Sequence, residues 1–403
     1  MFRSFRFALL LTLAAVMPQA AAAQERPTEF DSWTVPGWIF TPSISIGGMW
    51  DSNVAVATNQ AEGRRTDRDR LFVFEPQSQL EFHSNRTEFL AAYKGYLRRH
   101  IEIAELNGFD QRMYLTFQRL ATKRVTFFAR NEWSDVPTTD DVDLNGILYE
   151  RTGSRSNRLT TGVDMRLTKY DDLDVQYENT WIEFDNTSLF TRGGFMHAVS
   201  TEYGRRLSAR TTLGAEYRIR QADMTGGEGA LNRVMWFHDV GGVVEQALTP
   251  HVNLKGAAGY SVVLDPRLDE RHGGAYMRAE LTRQGERSTA GFYYARSFAP
   301  TFGFGGSSES HELRGYLHMP VTRNRMYVQT SGAWRRTDPL AVLDEIDLDS
   351  FIADGTVGYA PSRWLRVEGF YIYTRQDSRI TGGEINRHRA GVRLVLAQPM
   401  RIH

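Results

Sequence analysis

The chain has 403 residues, a formal net charge of zero, 24% charged residues and no cysteine. A net charge of zero gives no whole-molecule field that would recruit nucleic acid, and a chain without cysteine forms neither a disulfide framework nor a thiolate metal site. Mean hydropathy is −0.43, and after the N-terminal segment no stretch approaches 18 consecutive apolar residues, which excludes a protein that crosses a membrane by helices.

The N-terminal segment has the order of an export signal. Two arginines precede an apolar run over residues 7–17, Pro18 ends this run, and three alanines follow. This order predicts a signal peptide over residues 1–23, cleaved after the third alanine. A short periplasmic segment is expected over residues 24–37, so the mature chain leaves the cytoplasm.

Period-two alternation dominates the remaining sequence. Over residues 158–168 the odd positions hold Leu, Thr, Val, Met and Leu, and the even positions are polar, charged or glycine. Residues 251–264 and 387–396 alternate in the same way. A strand separates two such sets onto opposite faces, and a helix does not. Most of these runs have 11–14 residues, which exceeds a usual soluble strand and suits a tilted transmembrane strand.

Turn signals divide these runs into hairpins. Short connections, for example at residues 84–86, 121–123 and 207–209, alternate with longer polar segments such as 51–69 and 136–155. Short periplasmic turns and longer extracellular loops are typical of outer-membrane barrels. About nine hairpins predict an all-β fold. We expect a transmembrane antiparallel up-and-down β-barrel of about 18 strands over residues 38–397, followed by a C-terminal tail at residues 398–403.

Two residue types recur near the predicted strand ends. Aspartate closes most of the upward strands, at Asp51, Asp135, Asp185, Asp223, Asp265, Asp338 and Asp377. These residues would form either a ring of carboxylates at the outer mouth or ordinary turn and loop contacts. The tryptophans predict aromatic girdles at the two membrane interfaces, and they are Trp33, Trp38, Trp50, Trp133, Trp181, Trp236, Trp334 and Trp364.

Charged residues on the polar strand faces are expected to point into the lumen, because Arg or Lys facing the hydrocarbon midplane costs about 2–4 kcal/mol. These lumen candidates are Lys94, Arg98, Arg130, Glu132, Arg166, Glu178, Glu216, Arg218, Arg220, Lys255, Arg278, Glu280, Arg314, Arg366, Glu368, Arg387, Arg389 and Arg393. Basic residues outnumber acidic ones in this set. Two interpretations stay open: a cation-lined path for an anionic or polyhydroxylated solute, or ion pairs that satisfy one another across strands.

The last predicted strand carries a pattern of polar, glycine and hydrophobic positions. Arg389, Gly391, Leu394 and Leu396 resemble the signal by which outer-membrane barrels engage the barrel-assembly machinery. The pattern departs from that signal in two ways. Its hydrophobic positions hold leucine where aromatic residues are commoner, and the chain continues to His403 without a terminal phenylalanine.

The sequence contains no pattern for catalysis or for metal or cofactor binding. The ten histidines are scattered without a His-Glu-x-x-His spacing, and residues 303–306 neither precede a lysine nor open a helix. A Gly-x-Ser-x-Gly nucleophile turn is also missing. We therefore expect no catalytic residue, no metal and no cofactor, and a protein that is not an enzyme. An outer-membrane enzyme with dispersed catalytic residues is left as an alternative.

The segments Pro42–Gly48 and Trp50–Val54 resemble the opening of a family of outer-membrane β-barrel porins. Members of that family are often associated with exopolysaccharide synthesis and export. The resemblance implies a conduit for polysaccharide across the bacterial outer membrane, with a polysaccharide and a periplasmic export protein as partners. Lipid, lipopolysaccharide and the assembly machinery would be further partners, and nucleic acid would not. A general diffusion porin for small hydrophilic solutes and a closed structural barrel remain alternatives.

Overall fold

The computed structural model describes residues 36–54, 56, 68–136, 153–185, 193–225, 233–266, 269–285, 287–303, 306–322, 325–340, 347–378 and 383–402. The predicted signal peptide, residues 24–35 with Trp33, and the middle parts of several long loops lie outside the described residues. Within the described ranges, no helix has the length and apolar character needed to cross a membrane.

Nearly all described residues belong to antiparallel strands. The strands are β1 (Gly37–Asp51), β2 (Asp69–His83), β3 (Thr87–His100), β4 (Gly108–Leu120), β5 (Val125–Val136), β6 (Ser154–Arg166), β7 (Asp171–Phe184), β8 (Gly194–Arg206), β9 (Thr211–Met224), β10 (Arg233–Thr249), β11 (Val252–Asp265), β12 (Glu270–Gln284), β13 (Thr289–Pro300), β14 (Ser307–Thr322), β15 (Met326–Pro339), β16 (Leu348–Ser362), β17 (Leu365–Ser378), β18 (Glu384–Ala397) and β19 (Met400–Ile402). One 3₁₀ turn, Ala104–Leu106, lies between β3 and β4.

The sheet closes on itself. Each of the first 18 strands pairs with its sequence neighbours, and β1 also pairs with β18 from Ser43↔Ala397 to Asp51↔Arg389. The predicted 18-strand antiparallel barrel is therefore confirmed. Within the segment expected to be a tail, β19 extends this seam by pairing with Trp38–Phe40 of β1.

The two ends of the barrel carry different connections. At one end eight turns of two to four residues join β2 to β3, β4 to β5 and so on to β16 and β17. At the other end nine connections have four to seventeen residues. Several short turns share one hydrogen bond, in which a Ser or Thr hydroxyl accepts from the backbone amide two residues later. Thr122 accepts from Arg124 in this way and Ser208 from Arg210, both at 3.1 Å. We call these ends the short-turn end and the long-loop end.

Contacts between strands that are not neighbours identify the inner face. The Lys255 ammonium of β11 lies 3.0 Å from the Glu202 carboxylate of β8, although β9 and β10 separate these strands in the sheet. Such a contact is possible only across the interior of the barrel. Positions of the opposite parity form the outer face, where large apolar side chains such as Val240 and Val392 are more than half exposed.

Aromatic side chains mark both ends of the outer face. Trp38 and Trp364 lie near the short-turn end, and the tryptophans near the long-loop end are Trp50, Trp133, Trp181, Trp236 and Trp334. Four hairpins also carry an outward tyrosine whose hydroxyl lies 2.7–3.1 Å from Nδ1 of a histidine on the next strand, and these pairs are Tyr177–His197, Tyr217–His238, Tyr294–His311 and Tyr371–His388. Each pair satisfies polar atoms that would otherwise face an apolar band.

Candidate pore

The structure places all eighteen lumen candidates on the inner face. Following the cross-strand register from strand to strand, each one shares the face of Glu202 and Lys255. Of the four assembly-signal residues on β18, Arg389 and Gly391 face inward, and Leu394 and Leu396 face outward. Neither a solute path nor an assembly role follows from orientation alone, so both assignments stay predictions.

Most of the basic lumen candidates have an acidic partner outside the predicted lumen set. The acidic partners within 4.0 Å of a basic candidate include Asp51, Glu75, Asp110, Asp172, Glu202, Asp239 and Glu312. Glu178, Glu216 and Glu368, which belong to the predicted set, are further acidic partners of these basic candidates. The basic excess in the predicted set is thus offset by carboxylates on the same face. These acids occupy the polar alternate positions of their strands, so the same period-two pattern predicts that they point into the lumen.

One network of charged side chains extends along the inner side of the wall from β8 to β12. Glu202 of β8 contacts Lys255 of β11 at 3.0 Å and Arg278 of β12 at 3.6 Å. Arg278 also pairs with Glu216 of β9, whose carboxylate accepts a 2.9 Å hydrogen bond from Tyr276. These side chains form a chord inside the barrel and narrow the space next to this part of the wall. We refer to Glu202, Glu216, Lys255, Tyr276 and Arg278 as the chord network.

A second network centres on Glu368 of β17, whose side chain is 3% exposed. Its carboxylate accepts a 2.5 Å hydrogen bond from Nε of Arg393 on β18 and another from the hydroxyl of Tyr327 on β15, and Arg366 lies 3.6 Å away. Three strands are thereby held together through one carboxylate. Charge-assisted bonds of this kind are stronger than neutral ones.

The barrel seam carries buried ion pairs near the long-loop end. Arg387 of β18 contacts Asp51 of β1 through Nε and Nη2, at 3.0 and 2.5 Å, and both side chains are almost fully buried. On the neighbouring strands Arg98 of β3 pairs with Asp110 of β4 at 2.7 Å. The Arg387–Asp51 pair fixes the end of β1 against β18, and the Arg98–Asp110 pair joins β3 to β4 at the same end of the barrel.

The recurring aspartates do not form a ring of carboxylates inside the mouth. Asp51 and Asp265 face inward and are paired with Arg387 and Arg233. Asp135, Asp338 and Asp377 face outward and lie within 4.0 Å of an arginine on their own or a neighbouring strand. Contacts at strand ends therefore account for these five better than a common ligand site does.

Apolar residues fill part of the interior at the long-loop end. Met224, Met235 and Phe237 of β9 and β10 are at most 1% exposed, and they pack in one cluster with Ile182 and Phe302. Phe302 belongs to the connection between β13 and β14, and the amide of Gly306 in the same connection donates to the sulfur of Met224. The connection therefore folds into the barrel mouth. The sequence did not predict this cluster, because apolar residues of an alternating strand are expected on the outer face.

Two inward tyrosine rings lie flat against the wall over glycines. A Cβ at Gly358 of β16 would overlap the ring of Tyr327, and a Cβ at Gly259 of β11 would lie 2.7 Å from Cε1 of Tyr276. A glycine is required at such a close approach because any side chain would displace the ring. The arrangement keeps the two tyrosine rings close to the wall.

Solvent reaches the charged interior away from the apolar cluster. The side chains of Lys94, Lys255, Glu202 and Arg278 are 23–36% exposed although all four point inward. Around 18 strands spaced about 4.8 Å apart and tilted by about 40°, the backbone cylinder is about 35 Å wide, enough for an aqueous channel. Among the described residues, no group of three or more His, Asp or Glu is arranged to hold a metal ion.

No protein-family model and no curated protein sequence matches the chain. Solved structures with a similar strand arrangement include OccAB3 of Acinetobacter baumannii, with a TM-score of 0.45 and 8% identity over 90% of this chain and 99% of that one. OpdQ of Pseudomonas aeruginosa has a TM-score of 0.44 and 9% identity over 91% and 98% of the two chains. The ferric citrate transporter FecA reaches 0.42 and 9% over 84% and 60%. The fold described above rests on the strand pairing of this chain itself.

Proposed function

We propose that the chain forms a passive, water-filled pore in the bacterial outer membrane, through which small hydrophilic solutes diffuse. The division of the barrel into an apolar outer face and a charged, solvent-reached inner face carries this proposal. A closed sheet satisfies all backbone hydrogen bonds internally, which a protein in hydrocarbon needs. An apolar band between aromatic girdles fits the bilayer, and a polar interior fits water.

The same geometry supports an orientation. Short turns face the periplasm and long connections face the exterior in bacterial outer-membrane barrels. We therefore place the eight short turns on the periplasmic side and the nine longer connections outside. Outer-membrane lipid and lipopolysaccharide would contact the apolar band, and the assembly machinery would engage the last strand, β18.

Small solutes suit this lumen better than a polymer does. The chord network narrows the lumen next to one part of the wall, and the β13–β14 connection occupies part of the outer mouth. A polysaccharide chain needs a continuous clear path, whereas small solutes pass beside such obstacles. Exopolysaccharide export, which the family resemblance implies, is the second candidate, because the opening segment Pro42–Val54 carries that resemblance.

Conductance and swelling measurements test the proposal. The purified full chain in planar bilayers should give stepwise ion conductance, and proteoliposomes should swell in small sugars at rates that fall with solute size. A barrel that inserts but neither conducts nor swells would contradict a pore and favour a closed structural barrel. Deletion of the gene separates the two candidates: loss of surface polysaccharide with no change in solute uptake would favour export.

A further inference from the structure

The short-turn end of the barrel is strongly basic. Thirteen exposed basic side chains lie in or within two residues of the short turns, namely Arg86, Arg119, Lys123, Arg124, Arg166, Lys169, Arg205, Arg206, Arg210, Arg283, Arg287, Arg325 and Arg363. In the described part of the same turns, the carboxylates are the exposed Glu88 and the half-buried Asp171 and Asp172. We call the thirteen basic residues the basic rim.

The whole chain has a formal net charge of zero. The positive charge of the basic rim is therefore a local excess that acidic residues elsewhere in the chain offset. Inside the barrel most basic candidates are paired with carboxylates, so the middle of the lumen has little field of its own. Within the rim, the ion pairs of Arg166 with Asp172 and of Arg205 with Asp171 are long, at 3.6 and 3.7 Å, and each arginine is at least half exposed. The rim is therefore a group of weakly compensated charges at the short-turn mouth.

The turn geometry holds these charges at the mouth. In the β4–β5 and β8–β9 turns the hydroxyls of Thr122 and Ser208 fix the backbone at Arg124 and Arg210. Eight of the rim residues lie in the turns, beyond the strand ends, and the other five lie in the last two residues of their strands. All thirteen side chains are exposed to solvent. Because the mouth is about 35 Å wide and the Debye length is about 30 Å at 0.01 M salt, the field of the rim covers the entire opening at low salt.

We infer that the basic rim makes the pore selective for small anions, such as carboxylate- or phosphate-bearing solutes, that enter from the short-turn side. This inference rests on the proposed function and adds the charge class of the solute. A ring of one sign raises the local concentration of counter-ions and their rate of entry, and repels ions of its own sign. The effect should weaken as salt rises, since the Debye length falls to about 3 Å at 1 M.

Reversal potentials across phosphatidylcholine bilayers test the inference. Under a potassium chloride gradient near 0.01 M the full chain should pass chloride in preference to potassium, and the preference should fall towards unity near 1 M. The variant Lys123→Gln/Arg124→Gln/Arg206→Gln/Arg210→Gln should lose much of the preference. The matched control Arg70→Gln/Arg99→Gln/Arg155→Gln/Arg271→Gln removes the same charge from exposed sites near the long-loop end and should keep it.

The outcomes separate the inference from the proposed function. A channel that conducts but shows no anion preference, or loses as much preference in the control as in the rim variant, overturns the inference alone. A chain that inserts and does not conduct overturns both. Repeating the measurement with phosphatidylglycerol in the bilayer asks whether lipid phosphates neutralise the rim, and loss of the preference there overturns the inference for a native membrane. The salt dependence of the unmodified chain gives a readout that needs no variant.

Discussion

At the scale of single residues, Glu368 shows how the interior combines charge with rigidity. Its carboxylate accepts hydrogen bonds from Tyr327 and Arg393, lies 3.6 Å from Arg366, and is nearly inaccessible to solvent. Two arginines in the wall thus share this acid. If one partner of a buried pair is removed, the remaining charge keeps its desolvation cost without the compensating attraction.

We therefore expect Glu368→Gln to lower the free energy of unfolding by about 2–3 kcal/mol, less than for a fully buried pair because both arginines are partly exposed. Urea unfolding of the folded protein in detergent or lipid measures the change. Glu88→Gln is the control, since that side chain is exposed at a short turn and should change stability by less than about 0.5 kcal/mol. Equal effects at the two sites would contradict a structural role for the Glu368 network.

Gly358 offers a test of the open lumen at the same scale. A valine at Gly358 would overlap the ring of Tyr327, so the ring must turn into the lumen or the strand must shift, at about 1–3 kcal/mol. Single-channel conductance should fall. Gly355→Val on the same strand is the control, because a Cβ there meets no atom within 4 Å and conductance should be unchanged. An unchanged conductance in both variants would mean that the Tyr327 ring does not border the path.

The side on which each charged residue lies was predictable from sequence, but its partner was not. Because side chains of a strand alternate strictly between its two faces, the inward orientation of Lys255 and Arg278 follows directly from the pattern of their strands. Their partner Glu202 lies three or four strands away, and that distance depends on how the sheet curves and staggers when it closes. A single strand contains no information about such stagger.

At the scale of elements, the β13–β14 connection differs from an ordinary surface loop. Phe302 is 4% exposed and packs among residues from strands on the neighbouring wall, and Gly306 donates to Met224. Loops normally stay at the surface because their backbone groups need partners. At Phe302 this connection instead uses an apolar side chain to enter the mouth, where it occupies part of the outer opening.

Phe302→Ala should loosen this element. The loss of a buried ring costs about 3 kcal/mol and leaves a cavity, and we expect a higher single-channel conductance because the outer mouth widens. Phe292→Ala, on the outer face of β13, is the matched control and should leave conductance unchanged. If Phe302→Ala destabilises the protein without changing conductance, the cluster anchors the connection but does not border the path.

The strands and turns could be predicted because their signals are local, whereas the apolar cluster could not. Ser and Thr in the short turns and period-two alternation between them determine where each strand begins and ends. In residues 234–237 four apolar side chains follow one another, and such a run does not reveal which of its two faces meets water. Only the packing of β9, β10 and the β13–β14 connection shows that Met235 and Phe237 point inward.

At the scale of the whole molecule, the apolar band on the outer face surrounds the barrel. Val240 lies near the middle of β10 on this face and is 57% exposed. Val240→Arg should destabilise the barrel folded in a bilayer by about 2–4 kcal/mol, because the guanidinium would face hydrocarbon. Reversible folding into liposomes measures the change.

The inner face supplies the control for this prediction. Gln176 lies on the inner face of β7 and is half-buried, so Gln176→Arg should alter folding by far less. A small penalty at Val240 would contradict the placement of the outer face in lipid.

The seam between β1 and β18 has a consequence for biogenesis. Apart from the short β1–β19 pairing that extends it, every other adjacency in the barrel joins strands that follow each other in the chain, whereas this seam brings residues 43–51 to residues 389–397. Until the final strand has been synthesised, the growing sheet keeps two open edges, and such edges invite aggregation. Because this pairing is the most distant in sequence, we expect closure of the seam to be a slow, entropically costly step of folding.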